Sequence, residues 1–224
     1  MSGTEGQENL IWQEKVILFA RKMVAEGLVV AKQGNVSLRL PNRETALITP
    51  SGVPYDVMKP SDLPVLSLDG KVILAGLKPS KETPIHLAVY RARSDVGGIV
   101  HTHSPHATAV SALREDVPAF LEEQVPYLGG EIRTAIYGMS GTDKLAENVV
   151  KGLGQRNAVL LANHGVLACG PNVESAFRNA LLAERISEVY LIARGAGKPT
   201  HLPRYAVTKQ KKRYQLLRQE GTKN

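Results

Sequence analysis

Two strand-length apolar runs, Val65 to Leu68 and Val72 to Leu74, flank the pair Asp69-Gly70. Asp-Gly accepts the positive-φ turn whose twist matches two antiparallel strands, so this stretch reads as a hairpin. The pattern recurs along the chain. Asn35 to Leu40 and Ala46 to Thr49 are strand-like and separated by the turn Pro41-Asn42; Ala158 to Ala162 and Val166 to Cys169 are separated by Asn163-His164-Gly165. Gly98 to His103 is a further short apolar run that ends in histidines. Around these strands lie helical signals. Glu8 to Gly27 has helical apolar spacing (Leu10, Ile11, Val16, Ile17, Ala20, Val24) and stops at a glycine. Thr83-Pro84 opens a helix to about Ser94, with Pro84 suited to a first turn, and Pro105 begins another through Leu113. Thr142 caps a helix to about Leu153, and Asn172 caps the longest, which ends near Gly195. The expected fold is α/β: a single-domain three-layer sandwich over residues 1–224, its central, mainly antiparallel sheet flanked by helices. The core is expected from about residue 10 to 198, followed by a basic C-terminal tail, 199–224.

Composition narrows the functional classes. Apolar residues at 43% and charged residues at 22% belong to a globular chain, and aromatic residues at 5% make its core aliphatic. The lone Cys169 has no intrachain disulfide partner, which fits a reducing cytosol. The first residues, MSGTEGQENLIWQEK, are polar and acidic and carry no apolar signal core. No apolar run approaches the ~20 residues of a membrane span. A soluble, cytoplasmic protein without a membrane partner is therefore expected. The net charge is +7, part of it in Lys209, Lys211, Lys212, Arg213 and Arg218. That run reads as a solvated helix face. No zinc finger, helix-turn-helix or aromatic stacking motif accompanies it, so no nucleic-acid partner is expected. Positive potential does suit anionic substrates such as sugar phosphates.

The densest chemistry lies in His101-Thr102-His103, at the end of an expected strand. Residues i and i+2 of a strand point to the same side, roughly 6–7 Å apart along the chain. Two imidazoles there can converge on one metal ion, with Zn–N bonds of about 2.0–2.1 Å. His164, in the tight turn before Gly165, is the third candidate; a catalytic zinc typically has three protein ligands and an open position. His86, His106 and His201 read instead as satisfied core or surface residues. Glu82, just ahead of a helix, is either a fourth ligand, a general base, or both in turn. It equally fits an ordinary acidic residue favoured at a helix N-terminus.

Taken together, five segments resemble the class II aldolase/adducin family: GNVS (Gly34 to Ser37), ITPSG (Ile48 to Gly52), KPSKETPIH (Lys78 to His86), VHTHSPHATA (Val100 to Ala109) and ANHGVLACG (Ala162 to Gly170). They stand in the family's order and cover about Leu10 to Lys198. The resemblance implies that His101, His103, His164 and Glu82 hold one Zn²⁺ per chain, and that Glu82 is also the catalytic carboxylate. It places substrate phosphate on Gly34, Asn35, Ser51, Gly52, Ser80 and Lys81, where glycine admits close backbone approach and side-chain groups donate to an anion. Two departures stand out. Family aldolases often carry Ser-Ser where this chain has Ser80-Lys81. Their mid-chain tyrosine has no clear counterpart, since Glu122 and Glu123 lie near the expected place and Tyr127 follows a few residues later. A C-terminal family tyrosine aligns with Tyr214, the second catalytic candidate; the alternative is a tail tyrosine packed on its own helix.

The activity implied is zinc-dependent, reversible cleavage of a ketose 1-phosphate, of the L-fuculose 1-phosphate kind, to dihydroxyacetone phosphate and an aldehyde through an enediolate. Epimerisation of L-ribulose 5-phosphate at C4 is the nearest rival, and its relatives often have aspartate at the position of Glu82. Sugar-phosphate dehydratases and decarboxylases share the fold. An adducin-like interaction module is the non-enzymatic rival, and such modules need not keep the metal ligands that this chain has. The resemblance also implies a homotetramer with active sites between subunits.

Overall fold

The computed structural model describes residues 3–221, with side chains described from 9 to 220. Helix α1 (Gly3–Ala25) leads to strands β1 (Asn35–Arg39) and β2 (Thr45–Ile48), then to β3 (Val65–Ser67) and β4 (Val72–Leu74). Next come α2 (Thr83–Ala92), β5 (Gly98–Thr102), α3 (Pro105–Leu113), α4 (Gln124–Leu128) and β6 (Arg133–Ala135). The chain closes with α5 (Asp143–Leu153), β7 (Ala158–Leu161), β8 (Gly165–Gly170), α6 (Val173–Ala196) and α7 (Arg204–Gly221). The strands form one eight-stranded sheet in the order β4-β3-β2-β1-β5-β8-β7-β6. Every neighbouring pair is antiparallel except β6 and β7.

Alternation of side chains across the sheet builds the three expected layers. Ile99, Val159, Leu161, Leu167 and Cys169 pack with Ile85 and Val89 of α2 and Leu145 and Val149 of α5. Val100 and Ala168 face α1 and α6. Ala158, Leu160 and Val166 face α3 and the later turns of α6. Cys169 belongs to this packing, and burial pushes its thiol up to about 11. The helix starts behave as their sequences require. Thr142 accepts a hydrogen bond from Leu145 N, and Asn172 from Ser175 N; such caps contribute about 1 kcal/mol each.

The structure departs from expectation at three places. Helix α1 begins at Gly3, earlier than Glu8. Both α4, five residues containing Pro126, and β6, three residues, lie in a stretch that carries no readable period. Residues 204–221 form α7, which is anchored as well as solvated. Arg218 pairs with Asp95 at 2.8 Å. Tyr214 is only 6% exposed; its hydroxyl donates to the Gln155 carbonyl at 2.5 Å and lies 2.9 Å from Asn157 Oδ1. Tyr214→Phe should therefore lower the unfolding free energy by about 1–2 kcal/mol, which thermal unfolding should register as a midpoint about 2–8 °C lower.

Candidate metal centre

Four side chains meet at the end of β5. Strand β5 lies between β1 and β8, with His101 opposite Asn35 on one side and Leu167 on the other. His101 shares the face of Ile99 and so points toward the α2 layer, where Glu82 stands immediately before the helix. His103 follows two residues on. His164 comes from the turn between β7 and β8, where Asn163 adopts φ +57°. Asparagine tolerates that left-handed conformation better than most residues. The turn is fixed from outside: Asn163 N donates to the Ser111 carbonyl, and Arg114 Nε to Asn163 Oδ1 at 2.8 Å.

The donor atoms of Glu82, His101, His103 and His164 all lie within 4.8 Å of one another. His101 Nε2 is 3.1 Å from His103 Nε2 and 2.9 Å from Glu82 Oε2, and His164 Nε2 is 3.0 Å from Glu82 Oε1. Ligands of a tetrahedral ion with bonds of about 2.0–2.1 Å stand about 3.3–3.4 Å apart, so these donors fit one small divalent cation after slight expansion. The orientation of His101 fits as well. Its Nδ1 lies 3.0 Å from the Val166 carbonyl. A carbonyl only accepts, so Nδ1 carries the hydrogen and the Nε2 lone pair faces the cluster.

The charges interlock. Burial by itself would raise the Glu82 carboxyl, but the charges and hydrogen bonds of His101 and His164 outweigh it and hold the group well below the ordinary carboxylate range. Burial opposes a charge on His101, yet Glu82 reverses this and raises it. Burial, with His101 and His164 as positive neighbours, lowers His103 to about 4 and leaves it neutral. A buried carboxylate is tolerated only when paired, and here imidazolium or a metal ion supplies the pairing.

Around this cluster the structure gathers most of the residues singled out in the sequence. Asn35 Nδ2 donates to Glu82 Oε2 at 2.9 Å and to Ser80 Oγ at 3.2 Å. Pro50 and Pro79 form a β-bridge, and Ser51 N donates to the Lys78 carbonyl. The segments Gly34-Asn35, Ser51-Gly52 and Ser80-Lys81 are thereby brought side by side, with Lys81 and Gly52 exposed. Tyr214 is placed elsewhere. Gln155 and Asn157, its partners, precede β7, whereas His164 follows it, so the strand separates the tyrosine from the cluster. Burial also pushes its hydroxyl up to about 12. Tyr127 lies at that same far end, where its carbonyl accepts from Asn157 Nδ2. Two contacts to the centre escaped the sequence. Ser140 Oγ donates to Glu82 Oε1 at 2.9 Å from a loop with no recognisable signal. His86 is the satisfied core residue expected, buried with both ring nitrogens bonded, and what the sequence missed is that one of its partners is Asn35; its place one helical turn after Glu82 was the available clue.

Comparison with known proteins agrees with this geometry. Residues 14–191 match the model of the Class II Aldolase and Adducin N-terminal domain. A 5-deoxy-D-ribulose 1-phosphate aldolase of Bacillus thuringiensis serovar kurstaki is 39% identical over 193 residues, 85% of this chain and 89% of that protein. An L-ribulose-5-phosphate 4-epimerase UlaF of Salmonella paratyphi C is 34% identical, over 75% of this chain and 79% of its own length. A solved L-fuculose 1-phosphate aldolase superposes with a TM-score of 0.87 at 33% identity, covering 91% of this chain and 96% of that one. The chain belongs to the class II aldolase/adducin family. It is an enzyme, a lyase, with a histidine and glutamate cluster for a metal. Among the described residues no helix is long and apolar enough to cross a membrane.

The purified protein should contain about one divalent ion per chain. Elemental analysis of the His101→Ala, His103→Ala and His164→Ala variants should show that ion lost or loosely held. Stoichiometric, tight metal in the triple variant would refute the ligand set.

Proposed function

We propose that this chain is a zinc-dependent aldolase that reversibly cleaves a ketose 1-phosphate, of the L-fuculose 1-phosphate kind, to dihydroxyacetone phosphate and an aldehyde. The observation that carries this reading is the position of Glu82: an ionised, buried carboxylate held between two imidazoles and next to the Asn35–Ser80 pair. Three imidazoles and a carboxylate suit Zn²⁺ among the abundant divalent ions. Bound there, zinc supplies Lewis acidity to substrate oxygens. Glu82 then takes a carbon-bound proton of dihydroxyacetone phosphate, which gives an enediolate for addition to the aldehyde. Ser51 and Ser80, the backbone at Gly34 and Gly52, and the point charge of Lys81 bind the phosphate, while Asn35, whose amide donates to both Glu82 and Ser80, ties that loop to the carboxylate.

Ile136, Tyr137 and Met139 are 76%, 52% and 68% exposed immediately before Ser140, which touches Glu82. We propose that this apolar segment at the edge of the centre is a contact between copies of the chain in a homotetramer with active sites between subunits. The second reading is 4-epimerisation of a pentulose 5-phosphate by the same carbon–carbon cleavage, favoured by the epimerase relative.

Proton exchange separates the two. With dihydroxyacetone phosphate alone in D₂O, the wild type should exchange one carbon-bound proton. Glu82→Gln should slow this by about 10²–10⁴-fold while keeping most of its zinc. An enzyme that shows no exchange but interconverts pentulose 5-phosphates is an epimerase, and the aldolase reading fails. The phosphate site has its own test. Ser80→Ala and Lys81→Ala should each raise KM about ten- to hundredfold, the equivalent of losing one charge-assisted hydrogen bond. Unchanged KM in both variants would place the phosphate elsewhere.

A further inference from the structure

Behind Glu82 runs a chain of hydrogen bonds whose direction is fixed at every link. A carboxylate that ligates a metal is unprotonated and only accepts, so Asn35 must turn its Nδ2 toward Glu82 Oε2, 2.9 Å away. That leaves Asn35 Oδ1 facing His86 Nε2 at 2.5 Å. An amide oxygen only accepts, so Nε2 carries the hydrogen. His86 Nδ1 is then a lone pair and accepts from Ser37 Oγ at 2.7 Å. The one hydroxyl proton of Ser37 is thereby engaged, and its oxygen accepts from the Tyr90 hydroxyl, also at 2.7 Å. Every member is buried, from Asn35 at 3% exposed to His86 at 0%. Burial holds His86 down to about 3, so the ring is neutral, and raises Tyr90, which keeps its proton.

Each partner in this chain removes a choice from the next. Asn35 with a free carboxamide has two faces of nearly equal shape, and the wrong one would set an oxygen against the Glu82 carboxylate. A His86 protonated on Nε2 forbids that face, and the Ser37 hydroxyl completes that tautomer by donating to Nδ1. The same amide donates to Ser80, so its orientation links the carboxylate to the phosphate loop.

We propose that His86 is a positioning residue for the base: with Ser37 and Tyr90 behind it, its Nε2–H locks the Asn35 carboxamide with the NH₂ edge toward Glu82 and Ser80. The role in turnover rests on Glu82 acting as the base, whereas the directed chain itself does not.

The first test needs no activity. In ¹⁵N-histidine-labelled protein loaded with zinc, the His86 signals, assigned by their loss in His86→Gln, should show a protonated Nε2 and an unprotonated Nδ1. A ring protonated on Nδ1 overturns the proposal. The second test uses proton exchange from dihydroxyacetone phosphate. His86→Leu should lose about ten- to hundredfold, the usual size of effects from groups that orient an active-site residue. His86→Gln, whose side-chain amide places an N–H near the same point, should recover most of that loss at equal zinc content. In an Asn35→Ala background, His86→Leu should cause no further loss. Independent, multiplying effects of the two substitutions, or equal loss in the Gln and Leu variants, would mean that His86 only fills space. Should His86→Leu fail to fold, the tautomer and the Gln variant still decide. A wild type without exchange would overturn the aldolase reading and leave the tautomer result to judge the chain of hydrogen bonds alone.

Discussion

The register of β5 between β1 and β8 is the constraint on which the candidate metal centre depends. It sets His101 opposite Asn35 and Leu167, and it aims both polar residues at the layer that carries α2. A slip by one residue would turn His101 into the apolar layer of α1 and α6 and bring Thr102 to the metal. The same alternation carries Ser37 to His86 and Tyr90 on the α2 side, while Val36 and Leu38 fill the opposite core. Close backbone approach at the strand ends makes the register possible. A Cβ at Gly34, where φ is +69°, would come within 2.5 Å of the His101 carbonyl oxygen, and one at Gly165 within 2.3 Å of that of Thr102. Both positions require glycine for want of space.

Electrostatics then decides what this geometry can do. A carboxylate as buried as Glu82 is tolerated because imidazoles surround it, and those imidazoles are also placed to hold a metal ion. Proton and metal ion would thus compete for one set of lone pairs, with burial lowering His103 and the Glu82 carboxylate raising His101 when no metal is bound. The other end of the strands has a different task. There Arg93, Asp95 and Arg218 form an ion-paired group that ties α7 to the body of the domain, and Tyr214 fills the space beneath it. Chemistry and clamping are kept at opposite strand ends, which lets the rigid sheet fix the centre.

Local signals made much of this legible in advance. Asp69-Gly70 specified a hairpin, Thr142 and Asn172 specified helix starts, and the continuous apolar runs Ala158 to Ala162 and Val166 to Cys169 specified buried strands, because each depends on residues near in sequence. The helix α4 and strand β6 carried no such signal; they are short and exist by packing on neighbours distant in the chain. His86 and Tyr214 show the same limit in side chains. The first is the satisfied core histidine it looked like, but nothing in its local sequence showed that it is bonded to Asn35, which donates to Glu82. The second, aligned with a family tyrosine, spends its hydroxyl on the Gln155 carbonyl.

The sequence by itself determined the family, the antiparallel sheet and which four residues to look for as candidate metal donors, since ordered motifs, turn dipeptides and His-x-His spacing are properties of neighbouring residues. Only the tertiary structure decided that Glu82, His101, His103 and His164 have donors within 4.8 Å of each other, and that Ser140 and Asn35 hold the carboxylate. Distances across a sheet are set by strand register and layer packing, which join residues tens of positions apart and leave no trace in any local stretch of the chain.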